Sequence, residues 1–260
     1  MYDTNIVKKI GDYVLGKRKT ETLIIGIAGP QGGGKSTLSV QLKSQIEESG
    51  IPCTVICIDD FYYTRARRIR LGETIHPLFS TRGPPGTHDI EKLIETIHAI
   101  KENSRTVTWP TFNKALDDRA VDRMVTFTPT PDRPPIIIFE GWCVGCLPTA
   151  IQPPINQLET EEDPQAVWRE YVNEQIKTRY MPLWNMIDIY MYIAIPDWTY
   201  VYIWRHQQSI SNRETSVDLD RFIQFFERIS RSMMEPSGRI RTDVLVRMAP
   251  DHSIAELFLR

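Results

Sequence analysis

Nowhere in the 260 residues does an apolar run approach the roughly 20 needed to cross a bilayer. The first residues, Met1, Tyr2, Asp3 and Thr4, lack the basic-then-apolar order of an export signal. A soluble, cytoplasmic protein with no membrane partner is therefore expected. Cysteine is scarce: Cys53, Cys57, Cys143 and Cys146 are too few for a disulfide scaffold at this length. An excess of one charge is missing too. Lys and Arg total 31 against 33 Asp and Glu, a net −2, so no global basic field marks nucleic acid or an anionic membrane as a partner. There is no internal repeat and no low-complexity tract. The length suits one large α/β domain over residues 1–260 with a substantial core, and nothing in the residues specifies an oligomeric state.

Against this background one stretch stands out. Gly29-Pro30-Gln31-Gly32-Gly33-Gly34-Lys35-Ser36 matches G-x-x-x-x-G-K-[ST]. It follows the apolar run Leu23 to Ala28, a buried parallel strand by composition, and precedes a helical pattern carrying Leu38, Leu42 and Ile46. Glycines let the loop curl with its N–H groups inward, and the following helix adds its positive end, so a polyphosphate is the expected occupant. Lys35 is placed to reach the outer phosphates and the Ser36 hydroxyl to take one position on Mg²⁺, with Thr37 in support. ATP and Mg²⁺ are the expected cofactors.

Two further strands end in acids. Cys53 to Ile58 closes on Asp59-Asp60-Phe61-Tyr62, and Ile136 to Phe139 closes on Glu140. Open α/β sheets bind ligands at the carboxyl ends of their strands. Glu140 thus has the position of the second metal-organising acid of such folds. A fourth strand is read at Ile187 to Ile195 and a final one at Asp243 to Met248, with amphipathic helices over 5–19, 90–100, 166–184 and 219–234. The expected fold is a three-layer P-loop NTPase, with a mostly parallel central sheet and helices on both faces.

Between these elements lie two acceptor-side insertions, about 62–88 and 103–133. The first is basic and irregular in pattern, with Arg65, Arg67, Arg68 and Arg70, and leads into Arg82 to Asp89; the second holds Trp109 to Lys114 and reads as a hairpin over the site. A Pro-rich acidic stretch, about 147–165, reads as a surface loop, and about 205–216, with Arg205 and Arg213, as a lid that closes on phosphates. Blander readings compete. The Lys17 to Lys19 cluster is a solvated helix end before it is a nucleic-acid contact, and the aromatic stripe Trp168, Tyr171, Tyr180 is core before it is a stacking platform. Cys143-Val144-Gly145-Cys146 has a thioredoxin look, but no second C-x-x-C accompanies it and buried thiols are favoured. His88 has no matching metal ligand nearby, which favours a structural or substrate hydrogen-bonding role.

Together, the glycine loop, Asp59-Asp60-Phe61-Tyr62 and Phe139-Glu140-Gly141 resemble the phosphoribulokinase and uridine kinase group of P-loop kinases. With Arg82-Gly83-x-x-Gly86-Thr87-His88-Asp89, Pro110-x-Phe112-x-Lys114 and Trp142 added, the chain looks like the plant-type D-glycerate 3-kinases and their bacterial and fungal relatives. That resemblance implies that Asp59 takes the acceptor hydroxyl's proton and helps organise Mg²⁺, and that Glu140 holds the metal. It also implies that Asp60, Tyr62, Arg82, Thr87, His88, Lys114 and Arg119 line the acceptor side. Asn113 stands where many relatives carry Asp, and Ala115-Leu116-Asp117 departs from the family pattern after the lysine.

The resulting expectation is an ATP-dependent kinase transferring the γ-phosphoryl group to a hydroxyl of a small acid, D-glycerate first. Two rivals stay open: a kinase for uridine, pantothenate or a sugar phosphate, and a non-enzymatic nucleotide-gated binding protein.

Overall fold

The computed structural model describes residues 2–18, 20–102, 105–130, 132–212 and 219–260. Chain order begins α1 (Thr4–Lys17), β1 (Leu23–Ala28), α2 (Lys35–Glu48), β2 (Cys53–Cys57), α3 (Arg65–Thr74), α4 (Ile90–Lys101), then the pair β3 (Val107–Asn113) and β4 (Asp118–Phe127). It continues β5 (Ile136–Gly141), α5 (Gln157–Glu162), α6 (Val167–Gln175), α7 (Met181–Trp184), β6 (Ile189–Ala194), α8 (Thr199–Asn212), α9 (Leu219–Met234), β7 (Val244–Met248) and β8 (Ile254–Leu259).

Six strands form one sheet in the order β2-β5-β1-β6-β7-β8. All neighbours are parallel except β7 and β8, which run antiparallel at one edge. The composition explains this placement. β1 and β5 are buried at every position, as strands covered on both faces must be, and their sequences LIIGIA and IIIFEG are nearly unbroken apolar runs. Strand β8 is mostly exposed, which an antiparallel edge tolerates. Its weak apolar pattern is why the sequence alone does not announce it. On α2, Leu38, Leu42 and Ile46 recur every four residues and are fully buried, each stabilising the fold by about 1.5–3 kcal/mol over exposure. Among the described residues no helix is long and apolar enough to cross a membrane.

The sheet register sets the site. Ile27 and Cys57 both lie level with Glu140, and Ala28 lies level with Gly141 and Tyr192, so β1, β2 and β5 finish together. The glycine loop, Asp59 and Glu140 therefore emerge at one end of the sheet, where the strand order runs outward in both directions from β1.

Three sequence expectations are corrected here. The basic stretch read as irregular contains α3, capped by the Thr64 hydroxyl, and a 3₁₀ turn over Pro77–Ser80. Its arginines hide an inward side: Arg68 is fully buried and donates to the carbonyls of Tyr63, Ser80 and Asp117. The acidic stretch at 147–165 is only partly a surface loop. Asn156 caps α5, Leu158 packs into the core, and the buried acids Glu159 and Asp163 pair with Arg228 and Arg169 at 2.5 and 2.8 Å. Finally, the helix read over 166–184 runs without a gap from Val167 to Trp184 but widens to a π turn at Ile176–Tyr180 between α6 and α7. Pro182 in the first turn of α7 offers no N–H and crowds the carbonyl four residues back, so the ladder widens there.

Candidate active site

The glycine loop is shaped by backbone that only glycine adopts cheaply. Gly34 enters α2 in the left-handed region (φ 84°), where a Cβ would collide with the Tyr2 hydroxyl, and Gly32 (φ 78°) would place a Cβ 2.9 Å from Cβ of Trp204. The Tyr2 hydroxyl in turn donates to the Gly33 carbonyl at 2.9 Å, tying the N-terminal segment under the loop. No side chain caps the start of α2, which leaves its first N–H groups and its positive end available to an anion at the loop.

Lys35 folds back to donate to the Pro30 carbonyl at 3.0 Å. Burial lowers its affinity for a proton from the usual lysine range, and the charges of Glu140 and Asp59 resist that change. Beside it, the Ser36 hydroxyl donates to Glu140 Oε1 at 2.7 Å, joining the loop to the buried end of β5. Thr37 is exposed on the first turn of α2.

Asp59 and Asp60 lie on a 3₁₀ turn, Ile58–Phe61, directly after β2, and they meet different surroundings. Asp59 Oδ2 pairs with Lys114 Nζ at 2.8 Å. Burial alone would push its carboxyl up, but the charge and hydrogen bond of Lys114, aided by His88 and Lys35, outweigh that and hold it at about 2. Asp60 Oδ1 instead accepts the Phe112 N–H at 3.1 Å. Burial pushes Asp60 up to about 6; the Phe112 bond works against this, and the nearby Asp59 and Glu140 charges add to it. Both partners, Phe112 and Lys114, come from the hairpin of β3 and β4, which thus closes over the strand ends.

Of the residues assigned to the acceptor side, several are held by neighbours. The Arg82 guanidinium pairs with Asp117 at 2.5 Å and lies over the Phe112 and Phe222 rings. Arg119 pairs with Asp89 at 2.9 Å and donates to the Tyr62 carbonyl. The Thr87 hydroxyl turns inward to the Pro84 carbonyl, so in this conformation it fixes the loop. His88 is buried, stacks on Tyr62 with ring centroids 4.3 Å apart, and bonds through Nδ1 to Tyr180 Oη at 2.7 Å. Burial drops His88 to about 3, against a smaller opposing pull from Asp59, so its ring is neutral at pH 7. Arg205 Nη1 bonds to Gln208, and its backbone lies near Gly32 of the loop. Arg213 lies outside the described residues.

The other chemistry-bearing candidates resolve as packing. Cys143 and Cys146 are free, fully buried thiols, and burial raises Cys143 well above the usual range, with a hydrogen bond from the Cys143 thiol to Cys146 adding to the rise. Trp168 and Tyr180 lie in the core. Sequence reasoning misses Asp117, whose left-handed backbone (φ 51°) lets one carboxylate hold Arg82 and the buried Arg68. It also misses Tyr2 and Tyr180. The break in the family pattern at Asp117 is the one signal that marks any of the three.

No family model matches the chain. Among curated proteins it is 30% identical over 218 residues to "uncharacterized kinase mug58" of Schizosaccharomyces pombe, covering 78% of this chain and 76% of that one. It is 32% identical over 199 residues to the chloroplastic D-glycerate 3-kinase of Arabidopsis thaliana, covering 74% of this chain. The match spans 42% of the plant protein, less than half its length. Among solved structures, a D-glycerate 3-kinase of Cryptococcus neoformans shares the fold, with a TM-score of 0.75 and 21% identity over 98% of this chain and 99% of that one.

Proposed function

We propose that this chain, which belongs to the family of ATP-dependent P-loop kinases that includes the plant-type D-glycerate 3-kinases, transfers the γ-phosphoryl group of ATP to a hydroxyl of D-glycerate. The observation that carries the reading is the meeting of two carboxylates at one end of the sheet. Glu140 is bonded to the glycine loop through Ser36, and Asp59 is paired with a lysine of the overlying hairpin.

Each group has a task in that reaction. The N–H groups at the start of α2 and the Lys35 ammonium bind the phosphates and neutralise charge on the transferring group. Asp59, ionised at any working pH, accepts the hydrogen bond of the acceptor hydroxyl and takes its proton as the new oxygen–phosphorus bond forms and the bond from the γ-phosphorus to the bridging oxygen breaks, with ADP as the leaving group. A weak base suffices, because the hydroxyl becomes strongly acidic as that bond forms. Lys114 fixes the Asp59 carboxylate at the end of the strand. On the acceptor side, Arg82, Arg119 and Lys114 offer cationic groups suited to a carboxylate, once Arg82 exchanges its Asp117 partner for the substrate.

The donors present fit Mg²⁺. The Ser36 hydroxyl and the Glu140 and Asp59 carboxylates are hard oxygen ligands, and no denser cluster of His, Cys, Asp or Glu exists among the described residues. A small cation that draws most of its shell from phosphates and water matches that sparse set. When bound, it would neutralise the β- and γ-phosphate oxygens.

Turnover of D-glycerate, uridine and pantothenate with ATP and Mg²⁺ tests the acceptor. D-Glycerate is expected to be phosphorylated far faster than the other two. A preference for uridine or pantothenate would overturn the acceptor assignment and leave the kinase in place.

A further inference from the structure

His88 and Tyr180 form a buried pair whose protons can be placed by counting donors and acceptors. Tyr180 Oη has two contacts: it accepts the Gly86 N–H at 2.9 Å, and it meets His88 Nδ1 at 2.7 Å. Tyr180 is fully buried, and its phenol carries one proton. Were Nδ1 protonated, Tyr180 would accept twice and its own hydrogen would have no partner in the core, which is costly. With Nδ1 bare, the phenol donates to it, and both the Tyr180 hydroxyl and His88 Nδ1 are satisfied. A neutral imidazole bare at Nδ1 carries its proton on Nε2.

That second nitrogen is unspent. His88 Nε2 is buried and has no hydrogen-bond partner among the described residues. Its ring plane is fixed by the stack on Tyr62, and the two residues form an antiparallel backbone bridge three positions after Asp59. Tyr180 is the last residue of the π turn Ile176–Tyr180, and such turns are frequent at functional sites.

We infer that Tyr180 is a positioning residue that locks His88 in the Nε2–H tautomer, so that His88 presents a neutral hydrogen-bond donor to an oxygen of the acceptor beside Asp59. The inference rests on the reading above that the acceptor lies beside Asp59, but it holds for any acceptor with an oxygen at that point. It assigns His88 a donor's role only. A base at this position would need a bare Nε2, which the Tyr180 bond forbids.

The test begins with the whole, ligand-free protein, labelled with ¹⁵N in its five histidines. Long-range ¹H–¹⁵N correlation at pH 7.5 identifies each tautomer, and the signals lost in His88→Gln assign His88. The Nε2–H pattern is expected for His88, and Tyr180→Phe is expected to convert it to a mixture or to Nδ1–H. In kinetics, Tyr180→Phe should raise the acceptor KM about tenfold while the ATP KM stays within twofold, an effect of the size of one hydrogen bond. Because the Gln amide nitrogen reproduces Nε2 and the Asn nitrogen reproduces Nδ1, His88→Gln should retain several-fold more acceptor affinity than His88→Asn. An Nδ1–H pattern in the wild type overturns the inference whichever acceptor is used, and so does equal loss in the Gln and Asn variants. Failure to turn over D-glycerate falls on the acceptor assignment, since the spectrum needs no substrate.

Discussion

Asp59 and Asp60 are adjacent in sequence, yet they should move stability in opposite directions with pH. Asp60 is raised to about 6 from an ordinary 3.8, so it binds its proton more tightly when folded. The stability it contributes is complete below pH 3.8 and is lost as pH rises through 6. The shift of roughly two units corresponds to about 3 kcal/mol at most, and water reaching this half-buried carboxyl reduces that to on the order of 1–2. Asp60→Asn keeps an oxygen for the Phe112 N–H while removing the charge. It should therefore stabilise the apo protein by on the order of 1–2 kcal/mol at pH 8 and have little effect at pH 4. For Asp59, held at about 2, the sign reverses: its contribution is present above pH 3.8 and is lost as pH falls through 2. Asp59→Asn should destabilise at pH 8, though by no more than about 1 kcal/mol, because the Lys114 side chain is 64% exposed and its charge is screened. Urea denaturation of both variants at pH 4.5 and pH 8, in the presence of a chelator, measures the two shifts. If Asp60→Asn destabilised at pH 8, or both variants shifted with the same sign, the assignment of Lys114 to Asp59 and of the desolvated carboxyl to Asp60 would be refuted.

The same substitutions separate in kinetics: Asp59→Asn should lower kcat by about 10² to 10⁴ with nucleotide affinity nearly unchanged, while Asp60→Asn acts mainly on the acceptor KM. Steady-state rates showing the reverse would make Asp60 the base. Lys35→Ala should cost on the order of 10² or more in rate while circular dichroism stays native, because the side chain supplies charge and little packing. Asp117→Ala should destabilise by on the order of 2 kcal/mol, since it strips the fully buried Arg68 of its carboxylate; an unchanged thermal midpoint would show that the three carbonyls around Arg68 suffice.

Most of the fold is legible because it rests on local pattern. Unbroken apolar runs give β1, β5 and β6, four-residue apolar spacing gives α2, and the glycine loop fixes the order of strand, loop and helix. What escapes is decided by pairing in the folded chain, with partners from six to 69 residues away. Glu159 and Asp163 read as solvent-facing acids until Arg228 and Arg169 are seen beside them, and the arginines of α3 read as loop residues until Arg68 is seen inside. A charged residue's burial depends on the counter-charge the fold sets beside it, and periodicity carries no record of it.

The site divides along the same line. The loop, Lys35, Ser36, Asp59 and Glu140 are legible because their positions at strand ends and a helix start follow from local elements, and the sheet register then brings those ends together. The proposed acceptor side is built differently, from a hairpin, a loop and a π turn. Its cations arrive already paired: Arg82 with Asp117, 35 residues away, and Arg119 with Asp89, 30 residues away. A count of basic residues in this region therefore overstates the positive charge offered to a substrate, since Arg119 holds Asp89 and Arg82 shares Asp117 with the buried Arg68. For an anionic acceptor to bind Arg82, it must replace Asp117 on a guanidinium that also lies over the Phe112 and Phe222 rings. The exchange trades one charge-assisted bond for another, so net attraction at Arg82 is small and selectivity falls to groups that begin without a partner. Among the described acceptor-side groups, His88 Nε2 is one such donor, and the exposed ammonium of Lys114, shared with Asp59, is the cation with the most freedom to turn toward a carboxylate.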